Sequence, residues 1–357
     1  MRGRLVTAAL LVLLAAACTD AVEPASAPTP SRTASETASP AAETPGETSK
    51  SPAESSSPEP SRTADPVHPV SLPALFDKRY DGRRLRLGNV LVRTDAYTQR
   101  AVTYRGDGLT LSGIMNIPEG KGPFPVLVLA HGYIDPDVYV TGQGLRREQD
   151  WLARAGYVVL HVDYRNHAGS DGDPRADKRL RLDYTVDVIN AVKAVRRSGL
   201  RFVDPERVGL LGRSMGGGVV YNVLAVAPGL VDAAVVFAPV SSRAGDNFNR
   251  WVRDDAGRSQ LSRSILRDYG APENRPEFWR EASARTYFDR VSEPLLIHHG
   301  TADESCPIRW SRASYAALQR AGADARLFVY PGEPHAFIDA WPLSMRRTVR
   351  FFERNID

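Results

Sequence analysis

The chain has 357 residues, 42% hydrophobic and 25% charged, with a formal net charge of +4. This is ordinary globular usage and excludes collagen, a continuous coiled coil and wholesale disorder. Two cysteines exclude a disulfide-rich scaffold and a four-cysteine zinc site.

Three unlike segments lie beneath these averages. Arg2 and Arg4 precede an apolar run over 5–17, too short for the roughly 20 residues of a membrane span and read instead as a secretory signal. The run ends Leu14-Ala15-Ala16-Ala17-Cys18, which resembles the lipobox of bacterial lipoproteins. The resemblance implies that residues 1–17 are removed and that acylated Cys18 anchors the chain to the outer face of the cytoplasmic membrane. A plain signal cut near Ala17, leaving Cys18 an ordinary thiol, is the alternative. In residues 19–70, Pro, Ser, Thr and Ala fill 36 of 52 positions and no aromatic occurs. Such a stretch cannot bury enough apolar surface to offset chain entropy, so 18–70 reads as a disordered tether. The tether carries −5 and residues 71–357 carry +7. No Lys/Arg block with interleaved aromatics accompanies that charge, so nucleic acid is not an expected partner.

From residue 71 the pattern changes. Alternation over 100–117 around Gly106-Asp107-Gly108 predicts an antiparallel hairpin. Short Val- and Leu-rich runs at 126–130, 158–162, 208–211, 233–237, 295–298 and 326–329 predict strands buried on both faces of a parallel sheet. Helical patterns lie at 149–155, at Val186, Ile189, Val192 and Val195, and at 214–227, 307–321 and 341–354. Gly156 and Gly199 close the first two, and Pro228 follows the third. Strands alternating with helices predict an α/β layer fold, one domain over 71–357. Residues 241–290 break the rhythm with a polar, helix-prone, Trp-containing stretch, read as a cap over the ligand edge of the sheet.

One constellation carries chemistry. Gly212-Arg213-Ser214-Met215-Gly216 fits G-x-S-x-G, and its position between a strand and a helix is that of a nucleophile elbow. A serine hydroxyl needs a base to take its proton. Of seven histidines, His68 lies in the tether, His131, His161 and His298 sit at strand ends, and His167 and His299 lie in or beside loops. His335, in Pro331-Gly332-Glu333-Pro334-His335, follows the last predicted strand and faces the same crevice as Ser214. Asp303, in His299-Gly300-Thr301-Ala302-Asp303, is the candidate acid that orients it, with Glu304 as rival. The order Ser214, Asp303, His335 is the one this elbow geometry demands. Backbone N–H groups of Met215 and of Tyr133, in Ala130-His131-Gly132-Tyr133, are the expected oxyanion donors.

With these residues in place, Gly212 to Gly217, His299 to Asp303 and Gly332 to His335 resemble the prolyl oligopeptidase family of α/β-hydrolases. Trp151-Leu152-Ala153-Arg154-Ala155-Gly156-Tyr157, Asp163-Tyr164-Arg165 and Gly169-Ser170 fit that family's catalytic domain, so the likeness covers roughly residues 100–357. It implies the α/β-hydrolase fold and a serine hydrolase working through an acyl-enzyme on small ester or peptide substrates, with no metal or organic cofactor. Between the tether and the hairpin lie only residues 71–99, too few for the β-propeller of the large peptidases, so the expectation leans to carboxylic esters over short peptide amides. Cys306 stands where the family often has Val and reads as a packing thiol. Trp251, Phe278, Trp279, Tyr287 and Phe288 are candidate pocket aromatics, although such rings more often pack an insertion onto its domain, and Arg243, Arg250 and Arg253 are candidate attractors of a substrate carboxylate, with a solvated basic face the favoured reading. A catalytically silent binding lipoprotein with the same fold is the alternative function.

Overall fold

The computed structural model describes residues 66–356. The signal, Cys18 and the tether up to residue 65 lie outside the described residues. His68 and Val70, which composition assigns to the tether, pack on the domain: Val70 is buried, and His68 meets Tyr269 and Phe278 edge-on.

In chain order, α1 (Pro73–Phe76) leads into β1 (Arg83–Arg93), β2 (Tyr97–Gly106) and β3 (Leu109–Pro118). The series continues through β4 (Phe124–Ala130), α2 (Arg146–Arg154), β5 (Val158–Val162), α3 (Leu182–Arg196), β6 (Val203–Arg213), α4 (Met215–Val226) and β7 (Ala233–Phe237). Three helices follow β7: α5 (Ala244–Trp251), α6 (Ser259–Tyr269) and α7 (Pro276–Glu281). The chain then returns to the sheet with β8 (Leu295–Gly300), α8 (Ile308–Arg320), β9 (Ala325–Tyr330) and α9 (Trp341–Asn355).

All nine strands form one sheet in the order β1-β2-β3-β5-β4-β6-β7-β8-β9. Strands β4 to β9 run parallel, while β1, β2 and β3 pair antiparallel and β3 joins the parallel set by an antiparallel contact with β5. Asp107 and Gly108, both at positive φ, form the two-residue turn between β2 and β3, the backbone twist that a tight hairpin requires.

Alternate side chains divide the parallel strands between two faces. Val126, Val128 and Ala130 of β4 enter a core with α3, α4 and α8, whereas Leu127 and Leu129 enter the opposite core with α2 and α9. Because both faces are covered, these strands read as continuous apolar runs. β1 has no such signature. It is an arginine-rich edge strand whose only buried side chain is Leu85, and its register with β2 is irregular. The sheet's carboxyl edge carries the loops after β4, β6, β8 and β9, which hold Gly132, Ser214, Asp303 and His335 respectively.

Candidate active site

Ser214 stands between β6 and α4 at φ 55° and ψ −120°. Its N–H donates to the Phe237 carbonyl at 3.0 Å, and its carbonyl accepts from Gly218 at 3.2 Å and Val240 at 3.1 Å. The turn is possible because its neighbours lack side chains. A Cβ on Gly216 would lie 1.9 Å from the Ala130 carbonyl oxygen, and one on Gly212 would lie 2.3 Å from that of Gly216.

His335 Nδ1 lies 3.0 and 2.9 Å from the two carboxylate oxygens of Asp303. The carboxylate can only accept, so Nδ1 carries the proton and Nε2 is the basic nitrogen. Asp303 also accepts from the Ser305 and Cys306 amides at 2.9 and 2.7 Å. Burial pushes its pKa up, but hydrogen bonds from His299, His335 and the Cys306 amide outweigh burial and hold the carboxyl well below the usual carboxylate range. Glu304 occupies a different place. Its carboxylate accepts from the His335 backbone N–H at 3.2 Å, and its carbonyl accepts from Arg250.

His299 is the partner that motif reading missed. Its Nε2–H is shared between the Cys306 carbonyl at 2.8 Å and Asp303 Oδ2 at 3.1 Å, while Nδ1 lies 2.6 Å from the Ser311 hydroxyl. The signal was present in the sequence: a histidine four residues before the acid, at the end of the same strand. Glu333 was passed over too. Its buried carboxylate accepts from the Ile338 and Ala340 amides at 2.6 and 2.8 Å, tying down the loop that carries His335.

Ser214, Met215, Tyr133 and His335 line one cavity of about 470 Å³. Gly132, before Tyr133, packs so closely on Ser214 that a Cβ there would lie 3.2 Å from Ser214 Cβ. The first turn of α4 leaves its leading N–H groups without intrahelical partners, and Met215 is the first of them. Cys306 is buried beside Val240 and Trp310, with its sulfur 4.0 Å from Ser214 Oγ. Burial, and then the Asp303 charge, push its thiol up to about 12, so it stays protonated.

The segment between β7 and β8 forms the rest of the cavity wall. Of the five candidate aromatics only Trp251 lines it. Phe278 stacks on Tyr269, Trp279 tilts on Phe248, Tyr287 meets Phe76 and Phe288 meets Tyr221. Phe248, Leu261 and Ile265 supply apolar wall that aromatic counting overlooked. For the three arginines of this segment the solvated-face reading holds. Arg243 is exposed, Arg250 donates to the Glu304 carbonyl and Arg253 pairs with Glu273, and none of the three lines the cavity. The arginines that do are Arg181 and Arg258.

The sequence profile of the prolyl oligopeptidase family matches residues 143–357. An uncharacterized peptidase of Bacillus subtilis is 28% identical over 246 residues, which is 64% of this chain and 34% of that protein. The chain therefore spans about a third of the length of this curated relative. Among solved structures, the acylaminoacyl peptidase of Pyrococcus horikoshii aligns over 74% of this chain and 42% of that one, with TM-score 0.56 and 22% identity. The acetyl xylan esterase of Paenibacillus sp. R4 aligns over 80% of this chain and 92% of that one, with TM-score 0.59 and 20% identity. At such identities the structural likeness speaks to the fold, a mostly parallel nine-stranded sheet of the α/β-hydrolase kind.

Proposed function

Because the chain belongs to the prolyl oligopeptidase family, we propose that it is a serine hydrolase that cleaves its substrate through an acyl-enzyme. The observation that carries this reading is the Asp303–His335 pair at 2.9 Å with Ser214 and His335 on the wall of one cavity. In the proposed reaction His335 Nε2 takes the Ser214 Oγ proton as the oxygen attacks the carbonyl carbon. The negative charge that develops on the carbonyl oxygen is met by the Met215 and Tyr133 N–H groups, each such donor contributing roughly 3–4 kcal/mol to the barrier reduction. The imidazolium then returns its proton to the leaving alcohol or amine. Water repeats the sequence on the acyl-enzyme and releases the acid. Asp303 holds the imidazole tautomer and offsets its transient charge.

Within this reading, carboxylic esters are preferred over short peptide amides. A cavity with a largely apolar wall, completed by a helical segment, suits a single acyl or aryl group, and both a peptidase and an esterase stand among the similar proteins. The protein works outside the cytoplasm, held to the membrane by acylated Cys18. A fluorophosphonate probe applied to membrane fractions tests these statements together. Wild type labels in the membrane fraction, Ser214→Ala does not label, and Cys18→Ser moves the label to the soluble fraction. Equal labelling of Ser214→Ala refutes the assigned nucleophile. Matched ester and aminoacyl-amide panels decide the preference, and faster amide turnover overturns it.

A further inference from the structure

The serine hydrolase reading leaves the charge inside the cavity unexplained. Two guanidinium groups meet the ring of Tyr133, whose backbone is assigned to the oxyanion loop: Arg181 at 4.4 Å and Arg258 at 4.6 Å from its centroid. They differ in what else they touch. Arg181 pairs with Asp177 at 2.5 Å and reaches the Met215 sulfur at 3.6 Å. Arg258 has no carboxylate within ion-pair distance among the described residues. Its side chain makes one long donation, Nη1 to the Trp251 carbonyl at 3.4 Å.

Its surroundings hold it there. The Arg258 N–H is capped by the Asp255 carboxylate and carbonyl, both at 3.1 Å, closing the single 3-10 turn Ala256–Arg258. Asp255 also lines the cavity, but this carboxylate is engaged by the turn backbone, and that of Asp177 by Arg181. The segment that carries Arg258 also contributes the apolar Phe248, Val252, Leu261 and Ile265 to the cavity lining. A half-buried guanidinium with most of its five N–H groups uncommitted, stacked beside the reacting centre, is an anion site. Its planar fork fits a carboxylate in bidentate fashion.

Resting on the serine hydrolase reading, we propose that Arg258 selects substrates that carry a carboxylate close to the scissile bond. The carboxylate belongs to the acyl part, as in a dicarboxylic half-ester, or to the leaving group. The two sources share one chemistry and separate in the assay. Tyr133 sets the spacing, since its backbone N–H is the proposed oxyanion donor while its ring carries the guanidinium.

The acyl arm compares para-nitrophenyl hemiglutarate with its neutral methyl ester. The leaving-group arm compares the pentanoyl ester of para-hydroxybenzoate with that of para-hydroxybenzamide. Wild type is expected to favour the charged member of one pair in kcat/KM by about tenfold, the scale of a hydrogen-bonded charge. Arg258→Gln collapses that ratio, Arg258→Lys recovers part of it, and Arg253→Gln, an equal loss of charge on the same segment outside the cavity, keeps it. A wild-type ratio near one in both arms overturns the proposal, as does an equal fall of charged and neutral rates in Arg258→Gln. Failure of the underlying reading looks different: no turnover of any ester and no fluorophosphonate label, an outcome that removes the subsite's role as well.

Discussion

Ser214 is kept in a backbone region that costs a non-glycine residue roughly 1–3 kcal/mol, and the strain is tolerated because Phe237 of β7, Gly218 of α4 and Val240 in the loop after β7 grip it through three backbone hydrogen bonds. The proposed acid is fixed with equal care. Asp303 receives hydrogen bonds from two imidazoles and two amides, whereas Glu304 touches only the His335 backbone through its side chain. Asp303→Asn should therefore lower kcat by about 10³ to 10⁴, the range for a triad that loses its tautomer control, with KM little changed. Glu304→Gln should stay within a few-fold of wild type. Steady-state kinetics on one ester checks both, and the reverse ranking would reassign the acid. Ser214, Asp303 and His335 each sit in a short motif at the end of an apolar run, where chain order predicts convergence, and the fold places Asp303 against His335 and Ser214 and His335 on one cavity wall. His299 was harder to see. Its partners, Asp303 and the Cys306 carbonyl, are local in sequence, but only the closed loop turns its Nε2–H toward them. Arg258 was illegible for another reason: which arginine of a polar insertion points inward depends on how that insertion packs.

At the scale of elements, the loop after β9 is secured to the opposite side of the cleft. Arg147 donates to the carbonyls of Ala336 and Phe337, and Arg213, the residue before Ser214, reaches the Ala336 carbonyl at 3.4 Å. Arg213 is held by an ion pair with Glu148 of α2, which also accepts from Trp341 Nε1 of α9 at 3.0 Å. Both charges are buried. Removing one partner leaves the other desolvated and unpaired, a loss of about 3–5 kcal/mol. Glu148→Ala is expected to lower stability by that amount in urea unfolding, and Glu148→Gln, which keeps an acceptor, by less. An unchanged unfolding midpoint for Glu148→Ala would show that Arg213 finds water or another acceptor. Such cross-ties have no periodicity and leave no trace in the sequence. The parallel strands do, because covered faces demand unbroken apolar runs, and all six were predicted at or within a few residues of their observed positions. β1 escaped for the converse reason: an edge strand with arginines facing solvent satisfies its backbone on one side only and needs no apolar run.

Across the whole molecule, the two cores bury imidazoles that no reaction step uses. His161 of β5 lies between the Gln149 amide and the Tyr139 hydroxyl, and His298 of β8 between the Tyr330 and Thr348 hydroxyls. Burial lowers both: His161 to about 4, with Asp163 opposing the shift, and His298 to about 3, aided by the Arg347 charge. In the unfolded chain a histidine takes up its proton near pH 6.5. Between that value and the folded pKa the unfolded state binds more protons, so unfolding free energy increases with pH. The stability is complete above pH 6.5 and is lost as pH falls toward 4 for His161 and 3 for His298, each contributing at most about 1.4 kcal/mol per pH unit. Urea midpoints measured from pH 7 to pH 5, above the range of ordinary carboxylates, should therefore fall steadily with acid. His298→Gln retains a hydrogen-bonding side chain and cannot titrate, so it should be less stable at pH 7 yet lose less between pH 7 and 5, cutting the slope by roughly a third, because His131, which burial also holds well below the usual imidazole range, contributes beside His161. A slope identical to wild type would mean that His298 is charged in the folded core, or that the acid sensitivity of this domain comes from elsewhere.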